Sequence, residues 1–162
     1  MNVQEPRTVF RAVFRCGTYY GVIVTERLLN GGVGPRRGDP KGEIKQINNI
    51  RAYIAHPEGD EKPNKAVILL SDIFGIFPNR QLVADAFAAN GYLAVLPDLF
   101  NGDQVNIGDY DAKTIDVGAW LSRHTVDDVA SIVEATIEHL RTVLYVQKVA
   151  AAGYCFGGKV RL

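Results

Sequence analysis

The sequence is poor in the features that mark several specialised protein classes. It has only two cysteines, Cys16 and Cys155, far apart in the chain, which argues against a disulfide-stapled scaffold and favours a reducing compartment. Eighteen basic and eighteen acidic side chains leave a formal net charge of zero, so no bulk charge attracts nucleic acid or an anionic membrane. No apolar run approaches the roughly 18–20 residues that cross a bilayer. We therefore expect a cytoplasmic protein with no nucleic-acid partner and no membrane partner.

The sequence does contain enough apolar residues for one folded domain. Of its 162 residues, 47% are hydrophobic and 22% are charged, which is typical of a single globular domain. The first 38 residues differ from the rest, because they hold six arginines, no lysine and two acidic residues. Arg7, Arg11 and Arg15 would share one side of a helix, as in a mitochondrial presequence. We expect residues 1–38 to be a disordered or targeting extension that does not pack on the domain, with a mitochondrial location as the alternative.

Residues 39–162 alternate strand patterns with helix patterns. Two short alternating runs flank Asn48-Asn49, and asparagine tolerates positive φ, so a two-residue hairpin is predicted. Periodicity and turn signals then predict, in chain order, a strand at Ala66–Leu70, a helix from Asn79 to a stop at Gly91, a strand at Tyr92–Leu96, a loop over 101–116, a helix from the capping-box residue Thr125 to Leu144, and a strand at Lys148–Gly153. This order predicts an α/β fold with parallel strands, whose ligands bind outside the carboxyl ends of the strands.

A cysteine flanked by glycines follows the last predicted strand. The spacing Gly153-x-Cys155-x-Gly157 is that of a nucleophile elbow. The residues two before and two after the nucleophile must be small there, because strand and helix backbones pass close by. The side chain projects over the sheet edge, where a helix N-terminus favours the thiolate. The competing interpretation is a buried structural cysteine, because free cysteine also packs as a small hydrophobe.

The same segment partly matches a phosphate-binding loop. Gly153-x-x-x-x-Gly158-Lys159 has the glycines and the lysine of a P-loop between a strand and a helix. The motif requires Ser or Thr next, to hold Mg²⁺, and Val160 stands there instead. Nucleotide binding through Gly153–Lys159 is therefore the less favoured alternative.

Four stretches of residues 39–162 together resemble the dienelactone hydrolase family of α/β-hydrolases, most of all its fungal branch. They are Lys41-Gly42-Glu43-Ile44, Ser71-Asp72-Ile73-Phe74-Gly75, Ala88-Ala89-Asn90-Gly91-Tyr92 with Pro97-Asp98-Leu99-Phe100, and Gly153-Tyr154-Cys155-Phe156-Gly157-Gly158-Lys159. The resemblance implies an α/β-hydrolase-like fold, with a mostly parallel sheet and an N-terminal hairpin. It also implies hydrolysis of a small-molecule ester or lactone by a Cys-Asp-His triad, with no metal and no organic cofactor.

The resemblance also assigns roles to individual residues. It implies that Cys155 is the nucleophile and that the backbone N–H groups of Ile73 and Phe156 form the oxyanion hole. In the bacterial branch, a glutamate after the third strand holds the resting thiol. Asp72 stands at that position here, which makes it a candidate partner of the thiol, although its side chain is one methylene shorter than glutamate.

The rest of the triad has no counterpart in this sequence. The family's Asp and His lie on loops beyond the nucleophile helix, whereas seven residues follow Cys155 here. The histidines of the chain are His56, His124 and His139, and none stands at the catalytic position. We therefore expect residues 39–162 to be the N-terminal part of such a domain, truncated after the elbow and inactive by itself. The alternative is a non-catalytic pseudo-enzyme or binding module of the same fold.

The strand that ends at Gly153 also bears on association. In the family's strand order this strand is central, with later strands paired on its far side. Without them, Val149–Ala152 would form a sheet edge that no charged residue and no proline guards. We therefore expect self-association through this exposed edge.

Overall fold

The fold is described by a computed structural model that covers residues 21–22, 38–59 and 62–160. The strands within these ranges are β1 (Gly21–Val22), β2 (Glu43–Ile47), β3 (Ile50–Ala55), β4 (Lys65–Leu70), β5 (Leu93–Pro97) and β6 (Lys148–Gly153). The helices are α1 (Pro78–Ala88), α2 (Ile107–Asp111), α3 (Val117–Arg123) and α4 (Val126–Thr142), followed after β6 by a 3₁₀ turn at Gly157–Lys159.

The strands of the described ranges join one mixed sheet in the order β1-β6-β4-β5-β3-β2. The first four in this order run parallel, whereas β3 pairs antiparallel with β5, and β2 pairs antiparallel with β3. Helices connect β4 to β5 and β5 to β6, as parallel strands require. The carboxyl ends of β4, β5 and β6 lie along one side of the sheet, here called the carboxyl edge. The predicted α/β-hydrolase-like sheet with an N-terminal hairpin is confirmed.

Two local predictions are confirmed in detail. Asn48 and Asn49 form the two-residue hairpin turn, with φ values of +46° and +67°. At the start of α4, the Thr125 hydroxyl accepts the Asp128 N–H at 3.2 Å. The Asp128 carboxylate accepts the Thr125 N–H at 3.1 Å in return, which completes the capping box.

Two helix boundaries and one loop differ from the prediction. α1 begins at Pro78 after Phe77, not at Asn79, because proline fits the first turn of a helix, where no N–H donor is needed. α4 ends at Thr142, two residues before the expected Leu144. The expected loop over 101–116 contains α2, whose start is capped by Asn106 accepting the Gly108 N–H at 2.8 Å. None of the helices in the described ranges is long and apolar enough to cross a lipid bilayer.

The edge of β6 is not open as expected. Gly21 and Val22 pair in parallel with Ala150 and Ala151, so a short strand from the arginine-rich N-terminal segment covers this part of β6. The prediction of an exposed edge along 149–152 is therefore wrong at these two positions. The prediction that residues 1–38 lie apart from the domain is wrong at Gly21 and Val22, and apart from Gly38 the rest of that segment lies outside the described residues.

Both faces of the sheet are buried under helices. One face packs with Trp120 and with the apolar stripe of α4, whose buried members are Val129, Val133, Ile137 and Leu140. The other face packs against α1, whose buried members are Val83, Ala84, Phe87 and Ala88. β4 lies near the middle of the sheet and contributes to both cores, since Ile68 belongs to the first and Leu69 to the second. The burial of β4 on both faces explains its unbroken apolar run.

A buried tyrosine ties the hairpin to α1. The Tyr53 hydroxyl donates to Asp85 Oδ1 at 2.6 Å and accepts the Gly42 N–H at 2.6 Å. Asp85 Oδ2 accepts the Lys41 N–H at 2.9 Å. Burial, followed by the hydrogen bond to Asp85, raises the pKa of Tyr53 well above its ordinary value. This hydroxyl therefore stays protonated and fixes the segment that leads into β2.

Replacement of Tyr53 by phenylalanine should lower the free energy of unfolding by about 1–3 kcal/mol, because the Asp85 carboxylate and the Gly42 N–H both lose a buried partner. Denaturant unfolding measures the change. Tyr145 is 78% exposed, so Tyr145→Phe is the matched control and should change stability little. Equal stability of Tyr53→Phe and the control would contradict this account of the hydroxyl.

Candidate active site

Cys155 lies at the turn that leaves β6, over the carboxyl edge. Its φ is +50°, a left-handed conformation that costs a non-glycine residue about 1–3 kcal/mol. The residue is exposed and its thiol is free of any disulfide. The buried structural cysteine considered above is therefore wrong. A strained and exposed residue between a strand and a turn is the geometry of a nucleophile elbow.

Two glycines allow this turn to pack closely. A methyl group on Gly153 would come within 2.5 Å of the Gly157 carbonyl oxygen, and one on Gly157 would overlap the carbonyl group of Leu70. Because Gly157 has no side chain, its N–H reaches the Ser71 carbonyl oxygen at 3.0 Å. The Tyr154 N–H donates to the Leu70 carbonyl oxygen at 2.9 Å. The predicted need for small residues is confirmed, and it fastens the elbow to the end of β4.

Two backbone N–H groups of the segments at the elbow have no acceptor among the described residues. Ile73 lies in the turn after β4, and Phe156 directly follows Cys155. Within the part of the chain that the structure describes, neither N–H donates a hydrogen bond. The Ile73 carbonyl oxygen accepts the Val105 N–H at 2.9 Å, which fixes the orientation of that turn. These are the two groups that the family resemblance assigns to the oxyanion hole.

Asp72 is bound to partners other than the thiol. Its Oδ2 accepts the Nε and Nη2 groups of Arg80 at 3.0 and 2.5 Å, and its Oδ1 accepts the Phe74 N–H at 3.1 Å. Its side chain is 8% exposed. Among the described residues, no hydrogen bond joins Asp72 to Cys155. The role of Asp72 as a partner of the thiol therefore stays a prediction.

The loop after β5 folds over the same edge. The Asp98 carboxylate is buried and accepts the N–H groups of Phe100 and Gly102 at 3.1 and 2.9 Å. Asp98 therefore turns the chain as it leaves β5. Since Val105 further along this loop donates to Ile73, the loop borders the turn that follows β4.

An aromatic cluster supports the elbow from the loop side. The ring centres of Trp120 and Phe156 are 6.2 Å apart, and those of Trp120 and His124 are 4.2 Å apart. Asp103 accepts the Trp120 Nε1–H on its carbonyl at 2.6 Å, and its carboxylate lies 2.9 Å from His124 Nε2. The hydrogen bond from His124, aided by the charges of His124 and Arg123, holds the pKa of Asp103 below its ordinary value.

The three histidines occupy different parts of the fold. His56 follows β3, which is antiparallel to β5, so it lies at the side of the sheet opposite the carboxyl edge. His139 lies in the last turns of α4, where its Nδ1 is buried and has no hydrogen-bond partner among the described residues. His124 alone shares the carboxyl edge with the elbow, but it is paired with Asp103. Among the described residues, none of them hydrogen-bonds to Cys155, so none supplies a base to the thiol.

The described residues offer neither a phosphate cradle nor a cluster of metal ligands. The N–H of Gly157 donates to Ser71 and Tyr154, that of Gly158 to Cys155, and that of Lys159 to Phe156. These backbone donors are therefore not free to hold a phosphate, which weighs against the nucleotide-binding alternative. Within the described ranges, no three His, Cys, Asp or Glu side chains form a group that could hold a metal ion.

Arg80 is a site residue that the sequence analysis missed. It contacts Asp72 on one side, and its guanidinium lies 4.4 Å from the centre of the Tyr154 ring on the other. A signal was available, since Arg80 lies three and four residues before Val83 and Ala84, on the buried face of α1. A charged residue on such a face needs a buried partner, and Asp72 is the acidic residue nearest to it in the preceding turn.

The sheet order and the strand–turn arrangement at Cys155 are those of the α/β-hydrolase fold. The sequence matches the model of the dienelactone hydrolase family over residues 50–162, and the chain belongs to this family. It is 40% identical over 123 residues to hydrolase pyvD of Aspergillus violaceofuscus. This alignment covers 75% of this chain and 49% of that protein. It is 36% identical over 120 residues to the carboxymethylenebutenolidase homolog of Mus musculus. That alignment covers 74% of this chain and 47% of the mouse protein. The chain thus spans about half the length of the curated relatives it matches.

Solved structures share the fold. The structure named m3DLH matches with a TM-score of 0.56 and 23% sequence identity, covering 76% of this chain and 52% of that one. A putative dienelactone hydrolase from Klebsiella pneumoniae matches with a TM-score of 0.53 and 22% identity, covering 74% of this chain and 51% of that one. At this level of identity, the likeness establishes the fold alone.

Replacement of Asp103 by asparagine should lower the thermal unfolding midpoint near neutral pH, because His124 loses its charged partner. A carboxyl group whose pKa is lowered by folding stabilises the fold above its unfolded pKa and loses that effect as the pH falls through its folded pKa. The difference between wild type and Asp103→Asn should therefore shrink as the pH falls below about 4. Thermal unfolding followed by the fluorescence of Trp120, the single tryptophan, measures it.

The exposed residue Asp109 provides the control, since its replacement by asparagine leaves the His124 pair intact. A difference for Asp103→Asn that stays constant through the acidic range would mean that the charge of this carboxylate does not stabilise the loop.

Proposed function

We propose that the protein hydrolyses carboxylic ester or lactone bonds of small molecules, with the Cys155 thiolate as the nucleophile. The observation that carries the proposal is the elbow itself. Cys155 is exposed at φ +50°, and within the described ranges the N–H groups of Ile73 and of its own neighbour Phe156 donate no hydrogen bond. Membership of the dienelactone hydrolase family supports the same chemistry. The name carboxymethylenebutenolidase homolog, carried by several relatives, supports the lactone class, since a butenolide is a lactone.

The proposed reaction has two covalent steps. In the first, the Cys155 sulfur bonds to the carbonyl carbon and the carbon–oxygen bond to the alcohol breaks, so that the thiol proton ends on the departing alcohol oxygen. In the second, water adds to the thioester and the carbon–sulfur bond breaks, which releases the carboxylic acid and restores the thiol. The N–H groups of Ile73 and Phe156 would stabilise the oxyanion that forms in each step.

Each step also needs a group that moves a proton. A positioned general base contributes roughly 10²–10⁴-fold to such reactions. Because His124 is paired with Asp103 and the other two histidines lie elsewhere, the described residues bring no imidazole to the thiol. We therefore propose that the 162-residue chain transfers an acyl group to Cys155 but turns over slowly, in agreement with the expectation that it is inactive by itself.

Incubation with p-nitrophenyl acetate should acetylate Cys155 and release about one equivalent of p-nitrophenol per chain, with little turnover afterwards. The reason is that p-nitrophenolate departs without receiving a proton, so this acyl transfer needs only the thiolate and the oxyanion hole, whereas deacylation needs an activated water. Absorbance measures the released phenol, and peptide mass mapping locates the acetyl group.

Cys16→Ser is the matched control and should leave the released amount unchanged, while Cys155→Ser should abolish the fast release. Acetylation of Cys16 alone, or equal release from Cys155→Ser, would contradict the proposed nucleophile. Failure of Cys155 to react at all would favour a non-catalytic binding module of the same fold.

A further inference from the structure

Arg80 connects the two segments that form the candidate site. From α1, its Nε and Nη2 groups donate to Asp72 Oδ2 at 3.0 and 2.5 Å. Its guanidinium carbon also lies 4.4 Å from the centre of the Tyr154 ring. Asp72 begins the turn that carries Ile73, and Tyr154 immediately precedes Cys155. The turn formed by Asp72, Ile73 and Phe74 is here called the oxyanion turn. The Arg80 side chain therefore contacts both this turn and the residue that precedes Cys155.

Asp72 places a buried negative charge close to the elbow. It follows Ser71, whose carbonyl oxygen accepts the Gly157 N–H at 3.0 Å, and its side chain is 8% exposed. A carboxylate near a thiol disfavours the thiolate, which is the nucleophilic form of cysteine. A buried carboxylate without a partner is also costly to the fold. The site therefore needs a cation at Asp72.

The hydrogen bonds of Asp72 direct its carboxylate onto the oxyanion turn. Oδ1 accepts the Phe74 N–H at 3.1 Å, two residues further along the chain, which is the Asx turn that stabilises a tight backbone bend. This bend encloses Ile73. Because Arg80 occupies Oδ2, it holds the carboxylate in the position that closes the bend.

We infer that Arg80 is a positioning residue of the proposed acyl transfer, which neutralises Asp72 and holds it on the Ile73 turn so that the Cys155 thiol can ionise. This inference rests on the proposed function. A planar guanidinium suits this position, because two of its nitrogens donate to Asp72 while its central carbon lies over the Tyr154 ring. A lysine provides one point charge and no face to stack.

Among the residues that the structure describes, the other charged groups of the segments around the elbow are occupied or exposed. Lys159 on the 3₁₀ turn is exposed. The Asp98 carboxylate accepts two backbone N–H groups of its own loop. Asp103 and His124 are paired with each other. Asp72 and Arg80 are therefore the pair whose disruption should change the ionisation of the thiol most.

The experiment measures the rate of Cys155 alkylation by iodoacetamide as a function of pH, with peptide mass mapping to separate Cys155 from Cys16. Arg80→Gln should move the pH midpoint of alkylation upward by about one unit, because the Asp72 charge is left without its cation. Asp72→Asn combined with Arg80→Gln removes both charges and should return the midpoint to the wild-type value. Arg123→Gln, which removes an arginine from the exposed Asp103 pair, is the matched control and should leave the midpoint unchanged.

Two results would overturn the inference. One is an Arg80→Gln midpoint equal to that of wild type. The other is a midpoint in the double variant that stays as high as in Arg80→Gln. Trp120 fluorescence reports whether each variant is folded. If Arg80→Gln does not fold, Asp72→Asn takes its place: it leaves the Arg80 charge unopposed, so the midpoint should fall, and an unshifted midpoint in that variant overturns the inference equally.

A separate readout distinguishes this inference from the proposed function. If Cys155 of the wild-type chain is alkylated normally but is not acetylated by p-nitrophenyl acetate, the proposed function fails, irrespective of the alkylation profile of Arg80→Gln. If Cys155 is acetylated but Arg80→Gln leaves its alkylation profile unchanged, the proposed function stands and the role of Arg80 fails. A purely structural Asp72–Arg80 pair would lower stability on substitution without moving the profile.

Discussion

The site depends on one close contact, between the backbone at the end of β4 and the turn that follows β6. These strands pair in parallel from Lys65 opposite Lys148 to Leu70 opposite Gly153. The contact continues beyond the strands because Gly157 has no side chain and its N–H reaches Ser71 at 3.0 Å. Two segments that are distant in sequence thereby end side by side. The position of Cys155 relative to Ile73 depends on this contact between Gly157 and Ser71.

The turn after β4 is held by three different elements in succession. The Ser71 carbonyl oxygen is bound by the elbow, the Asp72 carboxylate by Arg80 of α1, and the Ile73 carbonyl oxygen by Val105 of the loop after β5. Each successive residue therefore has its own anchor from another part of the fold. This explains how a short stretch without regular structure can keep an N–H group in a defined position, since each anchor removes freedom that the turn alone would retain.

Much of this arrangement could be predicted from the sequence, because its signals are local. Asn48-Asn49 specifies its hairpin turn, Thr125 with Asp128 specifies the start of α4, and Gly153-x-Cys155-x-Gly157 specifies the elbow. The pairing of Gly21 with β6 and the contact of Arg80 with Asp72 could not be read in the same way. Both join residues that lie on different elements, so the partner cannot be read from local spacing, although the helical spacing does place Arg80 on the buried face of α1. The sequence also predicted an open edge on β6, whereas Gly21 and Val22 pair with part of this edge.

The left-handed backbone of Cys155 has a consequence for how this sequence can change over evolutionary time. Glycine adopts such a conformation without steric cost, and asparagine and aspartate adopt it more readily than cysteine does. With respect to stability alone, position 155 is therefore better filled by glycine. A lineage that no longer used the thiol would gain stability by losing it through ordinary mutation. The cysteine is thus a residue that folding disfavours at this position, and the proposed nucleophilic role is what would retain it against mutation.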